Sequence, residues 1–383
     1  MRLFLDDKIG SGGNARVYRA HTTDPDVPTR IFAVKKLHTT KHVRNPMLLH
    51  EACAVISLRG HPSIPEVYAL GQTQYYEYMA LEELDGDIYE PLQRPEGLTM
   101  RNLVALTCQM IDALEHVHSH HLVHCDIKPA NFLFERHQTG RIKLIDWGTA
   151  KLYRDPETLV HTGFDCRPEG SIPFLLGTRW AASINVHYHR RPSRRDDMES
   201  LAYTILLLLC GGLPWIVNGM KRVGILREKL KWSGAALAAG HPAVFGAFLD
   251  YARTLSFDDE PNYAGWRHQF KAAAPDLPEP PLYLYSDTSL RVGKSNWRPE
   301  VPTEPVSFQR PPKSVVKEVS GSDDDWVATS SWPRPLDVSD EDLLGDEREI
   351  VYQHLEKIED VPGMPRPWLR PVLGTPGERI VPY

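Results

Sequence analysis

The run His124-Cys-Asp-Ile-Lys-Pro-Ala-Asn-Phe-Leu-Phe134 brings a carboxylate, an ammonium and an amide into one turn-rich stretch at Asp126, Lys128 and Asn131. Phosphoryl transfer needs such a set: a carboxylate that orients an attacking hydroxyl and accepts its proton, and an amide oxygen that helps to hold Mg2+, both from one loop. Asp126 and Asn131 have the required D-x-x-x-x-N spacing. Lys128 stands where a D-x-K-P-x-x-N lysine reaches both the transferred group and the carboxylate, the pattern that goes with the aliphatic hydroxyls of serine and threonine. After the strand-like Ile142–Ile145 comes Asp146-Trp-Gly148, the place of a second metal-binding acid. A lone D-W-G carries no weight, but two unrelated polar turns account poorly for both motifs at this separation.

Upstream, Ile9-Gly-Ser-Gly-Gly-Asn-Ala-Arg-Val17 reads G-x-G-x-x-A-x-V between two strand-like runs. Gly10 and Gly12 let backbone N–H groups approach phosphate oxygens, and Val17 can pack over a base. Taken alone, the run fits an ordinary glycine-rich hairpin turn as well. Phe32-Ala-Val-Lys-Lys36 has the form of V-A-I-K, in which an inward lysine meets phosphates and is held by a helix glutamate. Lys35 is that candidate, Glu51 its partner, and strand alternation turns Lys36 to the opposite face as a solvated charge. By itself Glu51 reads more readily as surface charge.

Short β-like runs at 16–20, 30–37 and 75–81 with one helix near 47–58 predict a small β-rich lobe over 1–84. From 85 to 273 the chain reads as mainly helical: Leu103, Val104, Met110, Ile111, Leu114 and Val117 share one helical face, with Thr99 as N-cap. The polar Glu82–Gly86 connects the lobes, and a ligand belongs in the cleft between them. Residues 274–383 hold about half of the 32 prolines and acidic runs such as Gly321–Asp325, the mark of a mostly disordered tail. A helix near 340–358 is expected within it, from apolar residues at helical spacing behind Ser339 and Asp342.

The net charge of -6 over 383 residues argues against a nucleic-acid partner. The 5 cysteines lack C-x-x-C spacing, so neither a zinc site nor a disulfide framework is expected, and a reducing compartment fits. MRLFLDDKIG has no long apolar signal region, and Leu201–Cys210 is shorter than the ~20 residues of a membrane span. A cytoplasmic protein without a membrane partner is expected, with nuclear entry left open.

Together these motifs resemble a eukaryotic protein kinase of the casein kinase 1 family. The resemblance rests also on Leu144-Ile-Asp-Trp-Gly-Thr-Ala-Lys151, on Gly177-Thr-Arg-Trp-Ala-Ala-Ser-Ile-Asn185 with Ser-Ile-Asn where most kinases have A-P-E, on Ser193–Leu201 and on Leu213-Pro-Trp215. It runs from about Leu3 to Phe270 and leaves out the tail. It implies an α+β, bilobal kinase fold that uses ATP and Mg2+ to phosphorylate protein substrates on serine or threonine. By this resemblance Gly10 and Gly12 cover the phosphates, Val17 and Ala33 line the nucleotide site, and Lys35 with Glu51 positions the phosphates. Asp126 is the base, Lys128 steadies the transferred group, and Asn131 and Asp146 hold metal. Leu81 is the gatekeeper, Glu82 to Leu84 form the hinge, Asp197 braces the catalytic loop and Thr178 organises it with Asp126 and Lys128.

Departures from the family pattern carry their own expectations. Cys125 replaces the arginine of H-R-D, so activity should not depend on a phosphate in the activation segment. Arg190, Arg191, Arg194 and Arg195, with Lys221 and Arg222, suggest a basic groove for acidic or pre-phosphorylated substrates, with Arg179, Arg194 and Arg195 as the anion site; a solvated charged face is the competing reading. The acidic stretches Ser320–Asp325 and Ser339–Asp342 suggest that the tail docks back into that groove. A catalytically weak pseudokinase scaffold is the alternative function, although none of its usual losses, at Lys35, Asp126 or Asn131, is present. A small-molecule phosphotransferase is a second alternative, opposed by the long peptide-groove motifs at 177–185 and 193–201.

Overall fold

The computed structural model describes residues 2–11, 15–23, 28–38, 47–72, 76–163, 175–292 and 349–351. The first lobe holds β1 (Arg2–Ser11), β2 (Ala15–Thr22), β3 (Ile31–His38), helix α1 (Met47–Ser57), β4 (Val67–Gln72) and β5 (Tyr76–Leu81). Alternation along β3 supplies both faces. Phe32 and Val34 join Leu3, Leu5, Ala20 and Tyr78 in an outer cluster, while Leu37 belongs to the main core beside α1. Val17 pairs with Lys35, Lys35 with Met79 and Ala33 with Leu81, so one face of the sheet presents Val17, Ala33, Lys35 and Leu81 together. Lys36 points the other way as expected, yet it is not simply solvated: its ammonium sits 3.9 Å above the Tyr76 ring.

The second lobe is built from α2 (Glu90–Gln93), α3 (Met100–Ser119), the short strands β6 (Leu122–Val123), β7 (Phe132–Phe134), β8 (Ile142–Leu144) and β9 (Lys151–Leu152), then α4 (Ile184–His187), α5 (Arg194–Cys210), α6 (Arg222–Lys231), α7 (Gly234–Leu237), α8 (Ala243–Thr254) and α9 (Tyr263–Ala272). Thr99 caps α3, its hydroxyl accepting from the Asn102 amide at 3.1 Å. Every residue of α5 is buried, which makes it the central helix of the lobe. A capping box between Ser193 and Asp196 starts it, and Gly211 at φ 74° ends it. No helix among the described residues is long and apolar enough to cross a membrane.

Two expectations about the tail change. Residues 274–292 pack on the second lobe instead of leaving it at 273: the Asn102 side chain bonds both the amide (2.8 Å) and the carbonyl (2.9 Å) of Leu284, and the Val292 amide donates to Leu98 O at 2.8 Å. Tyr283 and Val292 are buried there, so apolar anchors and backbone pairing hold a proline-rich stretch without regular structure. Of the helix expected near 340–358, only 349–351 is described, and it is a strand, β10 (Glu349–Val351). It pairs antiparallel with Arg2–Phe4, giving a six-stranded order β10-β1-β2-β3-β5-β4. Two β-branched residues, Ile350 and Val351, suit an edge strand better than a helix. Ser320–Asp325 and Ser339–Asp342 lie outside the described residues.

Candidate active site

Both walls of the cleft are set by elements whose sequences leave little choice. On the upper wall β3 aims Lys35 inward, and its Nζ lies 2.9 and 2.7 Å from the two carboxylate oxygens of Glu51 on α1. The same ammonium is 2.9 Å from Oδ1 of Asp146. Burial alone would lower the Lys35 pKa, but the carboxylates of Glu51 and Asp146 outweigh it and hold the ammonium above its ordinary range. Burial pushes the Glu51 carboxyl up, with Lys35 opposing it; for Asp146, Lys35 reverses the effect of burial and keeps the acid below its ordinary value. Glu51 is therefore no surface charge, being only 4% exposed.

The lower wall is the loop that follows β6. Asp197 in α5 accepts from the amides of His124 (2.7 Å) and Cys125 (2.9 Å), which fixes the backbone ahead of Asp126. Its Oδ2 also meets His118 Nε2 at 3.0 Å. Lys128 Nζ donates to Asp126 Oδ2 at 2.7 Å and to Thr178 Oγ1 at 2.9 Å, while the Thr178 amide donates to Asp126 Oδ1 at 2.7 Å. Asn131 Nδ2 donates to the Asp126 carbonyl at 2.7 Å, and the Asn131 carbonyl accepts from the Ile145 amide at 2.9 Å, tying this loop to the one that carries Asp146. Asp146 sits at φ 66°, a left-handed turn that directs its carboxylate to Lys35. Trp147 is buried behind it, its ring 4.7 Å from that of His124 and its Nε1 donating to Leu144 O.

At the junction of the lobes the Glu82 amide is bonded to Glu66 O and its carboxylate lies 3.0 Å from Lys143. The Leu84 amide has no hydrogen-bond partner among the described residues. Glu83 takes Arg19 of β2 at 3.0 Å and also Arg136, clamping the connector to both lobes. Gly10 pairs with Val17 across the β1–β2 hairpin; Gly12 lies outside the described residues.

The expected anion site divides. Arg179 is exposed beside Thr178, whereas Arg194 and Arg195 are buried, at 6% and 8%. Arg194 donates to Asp258 O at 2.7 Å and stacks over Tyr153; Arg195 approaches Asp196 at 3.7 Å and lies over the Phe257 ring. They anchor the start of α5 and offer no open charge, which corrects their assignment to a substrate groove. Cys125 likewise supplies no cation for an activation-segment phosphate. Burial first, then Asp197, raises its thiol well above the ordinary value.

Some residues escaped the sequence reading. His118 is buried between Asp197 and the Tyr263 hydroxyl (2.7 Å), and burial keeps it below its ordinary pKa. Gly177 sits at φ 74°, where an added Cβ would lie 2.3 Å from the Cys125 carbonyl oxygen; only glycine brings the segment of Thr178 this close to the loop that carries Asp126. Its neighbourhood to Thr178 was visible, but not this contact.

The protein kinase domain family matches residues 4–233. The chain belongs to the protein kinase family. Within that family it is 33% identical to casein kinase I homolog 1 of Saccharomyces cerevisiae over 302 residues, 76% of this chain and 54% of that protein. It is 32% identical to casein kinase I homolog 2 of the same yeast, again over 302 residues and covering 53% of it. The chain thus spans about half the length of the curated relatives it matches. Lys35 and Glu51 form an ion pair within the small lobe, at 2.7 Å.

The donor set suits a hard cation. Asn131 spends its amide nitrogen on the Asp126 carbonyl and so keeps Oδ1 as an acceptor, and Lys35 occupies only Oδ1 of Asp146. Among the described residues no group of three or more His, Cys, Asp or Glu is placed to hold a metal ion.

Proposed function

We propose that this chain is a serine/threonine protein kinase of the casein kinase 1 type, transferring the γ-phosphate of ATP to hydroxyls of protein substrates. The observation that carries this reading is the Lys128 ammonium held between Asp126 and Thr178, opposite the Lys35–Glu51–Asp146 set. Asn131 and Asp146 would hold Mg2+, which would supply positive charge to offset that of the phosphates. Lys35 meets the phosphates of ATP in the same cleft. Val17, Ala33 and Leu81 enclose the adenine, and the hinge backbone from Glu82 to Leu84 reads its edge.

Asp126 orients the acceptor hydroxyl and takes its proton. The Thr178 amide and Lys128 hold the two carboxylate oxygens, so little reorganisation remains when the hydroxyl arrives. Lys128 has three N–H donors and uses two on Asp126 and Thr178, which leaves one for the phosphoryl group in flight. Gly10, at the β1–β2 hairpin, lies over the phosphates. A preference for acidic or phosphorylated substrates rests on the exposed Arg179 and no longer on the arginines of α5. Without a cation at Cys125, turnover needs no phosphate on the activation segment.

The test is transfer from labelled ATP, with and without Mg2+, to matched serine and tyrosine peptides, each in acidic and neutral versions. Mg2+-dependent labelling of serine only is expected, with Arg179→Ala raising KM for the acidic peptide about threefold, less than 1 kcal/mol. Labelling of tyrosine, or none at all with folded protein, contradicts the reading.

A further inference from the structure

Lys229, on α6, is fully buried, at 0% exposure, and belongs to no part of the cleft. A lysine rarely enters a core unless its ammonium is matched by acceptors. Here Nζ lies 2.5 Å from the Ala182 carbonyl oxygen, 3.4 Å from that of Arg179 and 3.3 Å from Nε2 of His187. The rings of Tyr203 and Trp215, at 4.6 and 5.6 Å, enclose it from the α5 side. Burial lowers its pKa well below the ordinary value, Glu199 opposing and Arg253 adding to that effect.

Those carbonyls belong to a segment that side chains of α5 and α6 grip at successive points. Glu199 accepts from the Ile184 amide at 3.0 Å, and the Ser183 hydroxyl donates to Asp196 at 2.5 Å. The Ala181 and Ala182 amides both donate to the Thr178 carbonyl, at 3.0 and 2.9 Å. A continuous path of hydrogen bonds thus leads from Lys229 through Ala182 to Thr178, and from Thr178 to Asp126 and Lys128.

We propose that Lys229 is a positioning residue for the acceptor side of phosphoryl transfer: by fixing the Arg179 and Ala182 carbonyls it sets where Thr178 stands against Asp126 and Lys128. The proposal rests on the phosphotransfer reading above. Lys229 does not touch the nucleotide wall, so its effect falls on the peptide substrate and on turnover, and not on ATP binding.

The experiment replaces Lys229 by Met, which keeps the length and removes the donors, and by Gln, which keeps a shorter donor. Each variant is measured for peptide kcat/KM, KM for ATP, and hydrogen exchange at the Ala181 and Ala182 amides with β3 amides as reference. Lys229→Met should lower peptide kcat/KM about tenfold, leave KM for ATP within about twofold, and speed exchange at Ala181 and Ala182 about tenfold relative to β3. Lys229→Gln should fall between it and the unaltered protein on both readouts. Peptide kcat/KM and exchange both within about twofold of the unaltered protein overturn the proposal, as does an equal loss in KM for ATP. Should Lys229→Met not fold, Lys229→Gln decides on the same two readouts. An unaltered protein without turnover would remove the phosphotransfer reading, while exchange at Ala181 and Ala182 would still decide whether Lys229 holds the segment.

Discussion

The cleft and the floor beneath it contain the same kinds of charged side chain and use them in opposite ways. In the cleft, Asp146 is 45% exposed and Lys128 21%, and each retains a valence that the protein does not fill. In the floor, Asp197 and His118 are 2% and 1% exposed, and Glu199 and Arg253 are both 3% exposed. There every strong group is turned on another part of the chain: Asp197 on two loop amides and His118, Glu199 on Ile184 and Tyr203, and Arg253 on the Trp232 carbonyl. Charges that remain partly unfilled can act on a ligand; charges that are saturated can only hold geometry. Altering the first set should cost turnover, and altering the second should cost stability.

Apart from Asp126, the largest departure is expected at Lys35. Lys35→Met should lower kcat/KM by about 10²–10³-fold, the scale of losing one charge-stabilising donor. Its unfolding midpoint should move little, since Glu51 can take up a proton and Asp146 reaches solvent. Parallel turnover and urea-unfolding measurements check this; a fall in stability as large as that of a floor variant would erase the distinction. Next comes Asp197→Ala, which strands the His124 and Cys125 amides and should cost about 3 kcal/mol of unfolding free energy, whereas ATP affinity in the folded fraction stays near normal.

The smallest effect sharpens the contrast through pH. Burial, followed by Lys229, holds the His187 pKa at about 3, below the ordinary 6.5. The unfolded ring binds a proton below that ordinary value and the folded ring does not, so this contribution to stability is complete above pH 6.5 and is lost as pH falls towards about 3. Its slope is at most about 1.4 kcal/mol per pH unit. In His187→Gln the unfolding free energy should therefore fall less steeply between those limits; identical slopes would show that His187 shares its proton equilibrium with the unfolded chain.

How much of this was legible in the sequence follows the same division. The cleft residues were readable because each belongs to a short local motif: Asp126, Lys128 and Asn131 in one loop, Asp146 before Trp147, Lys35 in a clear strand. Strands β1 and β4 were harder to read. Register shifts between Leu5 and Lys8, and between Lys8 and Gly10, break the alternation of β1, and another interrupts β4 between Val67 and Ala69. Arg194 and Arg195 looked like surface charge because nothing local reveals that Tyr153, Phe257 and Asp258 come from far along the chain to cover them. His118 and Lys229 were hidden for that reason as well, as their partners are set by tertiary packing. The docking of 274–292 was concealed by composition, since proline content signals disorder unless anchors such as Asn102 take up the backbone.

Asp126 tests the account most directly, because it is the one carboxylate to which both the acceptor side and the phosphate side converge. Transfer from labelled ATP to a serine peptide should be compared between the unaltered protein and Asp126→Asn, with ATP affinity and unfolding midpoint measured on the same samples. A loss of transfer of about 10²–10⁴-fold is predicted, with ATP affinity and midpoint nearly unchanged. Transfer that persists in Asp126→Asn would contradict the assignment of this loop as the catalytic one.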